Sequence, residues 1–306
     1  MRGTINFMGF WSNNSFVPTW TDFITNYLWS SPPKLLETLK TVHSANLSAG
    51  LLLRAATVED FPAILEFWGR FFSNWGSCRC VIPLEHLRKM SSWEILVVVR
   101  GDGILLGTIV RRHLKNLHVR EAKWADAAVI DYYCVHPAWR KKGIGRALLN
   151  AIHNTGPTPM PPQLIFWEGL RAIPPLALGL FWNRRGVLGS GVPVLGEECQ
   201  RAWNDCVKGC DVWTEKPGEE ISFWRAGGGI CIVWNTFHRT VPDGGAIGIV
   251  LGGNADALAA SSPWAVLLLP GGFSSPGPSW KMDSPFQWIG YNLSIGFVGG
   301  FPKIGF

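Results

Sequence analysis

The chain has 306 residues, 47% of them apolar and only 16% charged, enough apolar material for two cores and too little charge for a disordered or highly solvated polypeptide. Its formal charge of +6 and pI of about 9.0 imply anionic company; the densest basic run lies inside one motif, so we expect a phosphate-bearing cofactor and rank nucleic acid last. The first residues lack a continuous apolar segment, the apolar stretch 246–271 is broken by Asn254, Asp256 and a Ser-Ser-Pro turn, and the seven cysteines are odd in number. These features predict no signal peptide, no membrane span, no disulfide framework and an intracellular protein, cytoplasmic or nuclear.

Residues 1–50 read as an adaptor of two helices, 19–29 and 34–43, separated by Ser30-Ser31-Pro32-Pro33. A strand is predicted at 51–55. It ends at Thr57-Val-Glu-Asp60, a capping-box variant that opens a helix whose apolar stripe is Phe61, Ile64, Leu65 and Trp68. A second helix follows at 83–90, then a hairpin of 94–100 and 104–111 about Gly101-Asp-Gly103. Next come a strand at 127–135, a helix at 143–153 with Ile144, Ala147, Leu148, Ala151 and Ile152 on one face, a strand at 163–167, and a helix at 175–185 that stops at Gly186. Cys78-x-Cys80 and Cys206-x-x-x-Cys210 have neither zinc-knuckle spacing nor a nearby His pair, so no metal site is expected.

The last third is glycine-rich. It predicts a helix at 197–207, strands at 220–225, 230–238 and 246–251, a short helix at 254–260, and strands at 264–269 and 287–296. The division is therefore 1–50, 51–195 and 196–306. The order of elements in the last unit repeats that of the middle one, which makes it either a degenerate second copy or a β-rich extension. Its Gly252-Gly253-Asn254 turn lacks basic residues and is not expected to hold a diphosphate.

The chemistry concentrates between Val129 and Leu149. A strand runs into His136-Pro137 and then Arg140-Lys141-Lys142-Gly143-Ile144-Gly145-Arg146, which opens a helix. That layout aims main-chain N–H groups and a positive helix end at one point, with cations around it, and suits a diphosphate. A Walker loop is absent, and a dinucleotide fingerprint would need a glycine where Leu148 stands.

Arg140-x-x-Gly143-x-Gly145, with the opening at Leu53-Arg-Ala-Ala-Thr-Val-Glu-Asp60, resembles the GNAT superfamily of acyl-CoA N-acyltransferases over about 51–186. The resemblance implies an α/β (α+β) fold, a mixed sheet flanked by helices. It also implies that acetyl-CoA or another acyl-CoA is held by Arg140, Lys141, Lys142, Gly143, Ile144, Gly145 and Arg146, and that the strand ending at Val135 splays from the strand at 163–167. The pantetheine arm would bond the backbone near Val135, and the acyl carbonyl would meet a strand N–H near Cys134. An amine, on a small molecule or a protein, would attack directly. Asp131 is the candidate base, expected on the same strand face as Val129 and Tyr133, with Tyr132 or Tyr133 as an assisting acid. The family's cofactor-binding Asn and thiolate-protonating Tyr fall, by spacing back from Gly186, at Pro175 and Trp182. That departure, with the 17 tryptophans, supports an alternative: a catalytically weakened structural or interaction subunit of a larger assembly, such as a viral particle, joined through Trp-rich surfaces.

Overall fold

The structure is a computed structural model. It describes residues 20, 21, 24, 33–35, 47–72, 78–155, 161–168, 175–187, 189, 191–241, 243–271, 275–291, 293, 294, 304 and 305. Most of the predicted N-terminal adaptor lies outside these residues. Where the second adaptor helix was expected to begin, the chain forms β1 (Lys34–Leu35) instead. This pair of residues is tied antiparallel to Leu293–Ser294, so distant pairing takes precedence over local helical preference there.

Between Leu51 and Trp167, most predicted elements are found. β2 (Leu51–Ala55) leads to the Thr57 cap, where the Thr57 amide and hydroxyl both donate to the Asp60 carboxylate at 2.8 and 3.1 Å. Helix α1 (Phe61–Phe71) carries Pro62 in its first turn, where a missing N–H is cheapest, and buries Ile64, Phe67 and Trp68. β3 (Cys78–Cys80), α2 (Leu84–Leu87), β4 (Trp93–Arg100), β5 (Leu105–Val119), β6 (Ala122–Val135), α3 (Ile144–Asn154) and β7 (Gln163–Glu168) follow. α3 buries Ile144, Ala147, Leu148 and Ile152 on one face, as their spacing predicts.

The region after β7 differs from the prediction. Residues Ala177–Arg185 form strand β8, not a helix. β8 lies between β14 (Val266–Gly271) and β15 (Lys281–Tyr291), antiparallel to both, in the middle of the sheet. Its run of apolar residues fits a strand buried on both faces as readily as a helix, and pairing on two edges decides it. Gly186 caps no helix: a Cβ there would run into the Trp264 carbonyl oxygen.

The rest of the chain supplies β9 (Val192–Pro193), α4 (Glu197–Val207), β10 (Val212–Thr214), β11 (Ile221–Ala226), β12 (Gly229–Thr240), β13 (Ala246–Gly252) and α5 (Ala255–Ser261), with short β16 (Leu293–Ser294) and β17 (Ile304–Gly305) at the end. Through the main sheet the order runs β2-β4-β5-β6-β7-β15-β8-β14-β13-β12-β11-β9. The order mirrors about the central β15/β8 pair: β2, β4, β5, β6 and β7 on one side face β9, β11, β12, β13 and β14 on the other, with β15 and β8 exchanged between them. β6 pairs in parallel with β7 across α3, and β13 with β14 across α5; the short β17 also runs parallel to β10.

Five apolar clusters hold this sheet. One, drawn from β5, β6, β7, β8, β13, β14 and β15, spans both sides of the mirror, with Val129, Leu164, Phe181, Ile249, Phe286 and Trp288 among its members. α3 and α5 each cover a cluster, as do α1 and α4. Burial thus ties the glycine-rich third to the first through shared strands.

Candidate acyl-CoA cleft

The basic turn is built as its residues require. Lys141 and Gly143 both take left-handed backbone, with φ of 63° and 83°, and glycine carries the second at little cost. A Cβ at Gly143 would meet nothing within 4 Å, so the space above the turn is open. The turn delivers the chain into α3, whose first turn begins at Ile144 and presents its main-chain N–H end toward the turn. Arg140, Lys141, Lys142 and Arg146 are exposed around it. Lys142 Nζ lies 4.5 Å from the Trp139 ring centroid, and His136 Nδ1 accepts from the Ala138 amide at 3.2 Å, which fixes the approach to the turn. Ile144 anchors the helix from beneath, buried in the α3 core.

Gly145 also meets a packing demand. A Cβ there would fall on the Tyr133 hydroxyl, so this glycine admits the tyrosine beneath the first turn of α3. Arg140 Nε donates to the Val135 carbonyl at 3.3 Å. The Val135 oxygen is therefore already engaged, whereas the resemblance implies a pantetheine contact there.

β6 pairs in parallel with β7 at Ala128, Val129 and Ile130 only. Beyond Ile130 and Ile165 the parallel pairing ends, ahead of the basic turn. The pairing stops where the resemblance implies that the strands splay. The opposite side of β6 stays paired with β5, with a register break between Thr108 and Val110 and with Tyr132 at a φ of 46°. That bulge adds one residue to β6 and resets the alternation of side chains.

The reset corrects the expected placement of the catalytic candidates. Ile130, Tyr133 and Val135 face α3, whereas Tyr132 and Cys134 pack against α1 on the other face. Asp131 also lies away from α3: it lines a cavity of about 30 Å³ with Phe72, Tyr132, Phe166, Trp234 and His238. Asp131 and Tyr133 are thus on opposite faces of the sheet and do not form one acid–base pair. Burial raises the Tyr133 hydroxyl pKa well above its usual range, which leaves it a weak acid against the α3 turn.

Burial also raises the Asp131 carboxyl, opposed by the Arg112 charge and by the Tyr132 amide that donates to it at 2.7 Å. Arg112 is paired. Its Nη1 donates to Glu220 at 2.9 Å, and both side chains are 3% exposed. Glu220 further accepts from Trp93 Nε1 at 3.0 Å, and the Arg112 guanidinium lies 5.9 Å from the Trp234 ring centroid. With its charge offset by Glu220, Arg112 does not cancel the burial effect on Asp131. A carboxyl displaced upward in a small cleft-side cavity is suited to accept a proton near neutral pH. The sequence showed Asp131 but not Arg112, Glu220 or Trp93, because residues more than a hundred positions apart meet only through the sheet.

Pro175 and Trp182 do not stand on a cofactor-facing helix. Trp182 lies on β8, pairs with Leu269 and Met282, and belongs to the core under α5. The second turn, Gly252-Gly253-Asn254, is filled from within: a Cβ at Gly253 would strike Ile230 and Cys231, and the Asn254 side chain caps α5 by accepting from Ala257 N at 3.0 Å.

A basic turn at a helix N-terminus, set beside two parallel strands whose pairing ends, is the arrangement of a GNAT-like fold. Residues 61–156 match the acetyltransferase (GNAT) family model, so the chain carries a GNAT-family segment. Its whole architecture is similar to a crystal structure of Saccharomyces cerevisiae N-myristoyltransferase with bound myristoyl-CoA. The TM-score is 0.69 at 11% identity, covering 97% of this chain and 98% of that one. A second structure of the yeast enzyme, with myristoyl-CoA and inhibitors, aligns at 0.65 and 11% identity over 88% of this chain and 87% of that one. Identity this low establishes the fold alone. No curated protein matches the sequence. Among the described residues no helix is long and apolar enough to cross a membrane.

Proposed function

We propose that the protein is an N-acyltransferase that takes an acyl group from acetyl-CoA or another acyl-CoA and passes it to an amine by direct attack. The observation that carries this reading is the end of β6–β7 pairing after Ile130/Ile165, ahead of the open turn at Gly143. The GNAT match over the same segment supports it, as does a fold shared with an enzyme that binds myristoyl-CoA. When bound, the acyl-CoA supplies the activated thioester. Main-chain N–H groups of Ile144, Gly145 and Arg146 would bind its diphosphate, with Arg140, Lys141 and Lys142 adding charge. The strand amide near Cys134 would face the acyl oxygen. Asp131 would accept the amine proton, directly or through water held in the neighbouring cavity.

The non-catalytic alternative drew on Pro175 and Trp182 as replaced catalytic positions. Trp182 lies on strand β8 and not on a helix, which weakens that support, while the tryptophan-rich composition still stands for the alternative. Calorimetry with acetyl-CoA, run beside a thiol-release assay on a panel of amines, tests the reading. Binding is expected, with release dependent on amine, and Gly143→Asp should weaken binding at least tenfold, about 1.4 kcal/mol. Unchanged affinity in folded Gly143→Asp would refute the site, and tight binding without release for any amine would favour the non-catalytic alternative.

A further inference from the structure

We infer that Trp68 and Thr108 are positioning residues for Asp131, acting through the backbone of Tyr132, whose amide holds the Asp131 carboxylate. The inference rests on the acyl-transfer reading above, in which Asp131 is the base, and adds to it the residues that set how that base is held.

Between the pairs Thr108/Cys134 and Val110/Asp131, Tyr132 and Tyr133 of β6 oppose Ile109 alone on β5. A two-against-one break takes backbone groups of the longer strand out of the ladder, and buried ones need other partners. Both groups of Tyr132 find them. Its carbonyl accepts from Thr108 Oγ1 at 3.0 Å, and its amide donates to Asp131 Oδ1 at 2.7 Å. Thr108 Oγ1 in turn accepts from Trp68 Nε1 at 2.9 Å. An indole nitrogen only donates, so Trp68 occupies a lone pair of the hydroxyl and leaves its proton for the Tyr132 carbonyl. Trp68 and Thr108 are both fully buried, so bulk water does not compete for either group. Four groups from α1, β5 and β6 thus form one directed relay that ends on Asp131.

The backbone at the centre of the relay is strained. Tyr132 is a bulky residue in left-handed conformation, at a φ of 46°, a state that persists only where surroundings impose it. Thr108 holds its carbonyl, and Trp68, Phe72 and Trp93 surround its ring with centroids at 4.5, 4.9 and 5.0 Å. In a regular strand the amide would point to a neighbouring strand; in the bulge it meets the preceding side chain. The Asp131 carboxyl is also faced by Arg112 of β5, Glu220 before β11, Cys80 of β3, the Tyr132 hydroxyl and His238 of β12. Arg112 is committed to Glu220. Burial keeps the other three uncharged near neutral pH, raising Cys80 and Tyr132 and lowering His238 to about 4. Among the described residues, the hydrogen bond that reaches the Asp131 carboxylate comes from the Tyr132 amide. A donor to the charged form favours that form, so the relay opposes the burial that raises Asp131 and fixes the rotation of its carboxyl group.

A carbon-13 NMR titration of the Asp131 carboxyl tests this, on the full chain labelled at aspartate with the signal assigned by Asp131→Asn. Thr108→Val keeps the shape of the side chain and removes the hydroxyl; its Asp131 midpoint should rise by about one pH unit. Thr108→Ser keeps the donor and should titrate as wild type does. Trp68→Phe removes the indole donor, so its midpoint should rise by less, and it keeps the test decisive if Thr108→Val fails to fold. In assays with acetyl-CoA and a responsive amine, Thr108→Val should lower kcat about tenfold with KM for acetyl-CoA unchanged, and should add no further loss in Asp131→Asn. A merely structural role would lower the melting temperature of the variants and leave the Asp131 midpoint in place. A midpoint unmoved in folded Thr108→Val and Trp68→Phe, or moved equally in Thr108→Ser, would overturn the relay and leave the acyl-transfer reading intact. Wild type that transfers no acyl group to any amine would overturn that reading, and the titration would still decide whether Trp68 and Thr108 set Asp131.

Discussion

At the scale of single residues, the two glycines of the turn make separable demands. Gly143 is needed for its φ, while Gly145 is needed for the absence of a side chain over Tyr133. Gly145→Ala is expected to lift the first turn of α3 and lower acyl-CoA affinity about tenfold. Because the obstruction is the phenolic oxygen, Tyr133→Phe should return most of that loss in the double variant, and calorimetry on the four proteins of the cycle measures it. Equal losses with and without the hydroxyl would show that the glycine acts some other way. Asp131 gives a second test. Its folded pKa is raised, so the folded state binds this proton more tightly than the unfolded chain does. Stability is then greatest below the unfolded value of about 3.9 and falls as pH rises through the higher folded value. Asp131→Asn should therefore stabilise the protein at neutral pH while lowering the amine-dependent rate, typically by about a hundredfold. Urea melts at two pH values and a pH–rate profile read the two effects separately.

Among elements, the joint between β5 and the start of β11 is expected to be the costliest to break. Arg112 on β5 meets Glu220 just before β11, in nearly complete burial, with Trp93 of β4 donating to the same carboxylate. Removing one partner leaves the other charge buried and unpaired, which typically costs about 3–5 kcal/mol. Arg112→Met and Glu220→Gln should each lower the urea midpoint strongly, and the double variant should lose much less than the two losses added. Additive losses would indicate that the pair is not coupled. The same joint supports Asp131, so the single variants should also shift the pH at which the rate rises. In Arg112→Met the Asp131 pKa climbs further, because the cation that lowers it has gone.

For the whole molecule, the sheet order makes independent folding of the GNAT segment unfavourable. β8 pairs only with β14 and β15, and β7 takes one of its two neighbours from β15. A fragment of 51–186 would expose both strand edges and the apolar cluster that bridges the mirror, so it is expected to aggregate or to melt without a cooperative transition. A soluble fragment with one sharp transition would refute the coupling. The tryptophans of the last third fall in two places. Trp234 lies at the junction, stacked on Trp288 with ring centroids 6.3 Å apart, whereas Trp224 and Trp264 meet edge to face in the core under α5. The last third therefore has a core of its own as well as a shared one. Acid should open the molecule at two buried imidazoles, one on each side of the mirror. Burial lowers His153 to about 3 and His238 to about 4. Both are lowered from a usual 6.5, so their neutral forms stabilise the fold above that value and the contribution is lost as pH falls toward 4 and 3. His153→Gln should flatten the acid limb of a stability–pH curve.

What the sequence determined by itself is local. The Thr57 cap, the buried stripe of α1, the Gly101–Gly103 hairpin, the face of α3 and the basic turn at Arg140–Gly145 each depend on contacts within a few residues, and such contacts leave a periodicity or a spacing in the chain. Order along the chain also showed that the elements of the last unit follow the sequence of the middle one. Only the tertiary structure decided that 177–185 is a strand, since its apolar run satisfies either conformation until β14 and β15 pair with it on both edges. Only the register of β5 against β6 showed that Tyr132 bulges and sends Asp131 and Tyr133 to opposite faces, because a single inserted residue reverses the alternation that sequence reasoning must assume. The partnership of Arg112 with Glu220 was likewise out of reach. Burial and pairing between strands more than a hundred residues apart are long-range effects, and they set the chemistry of this cleft.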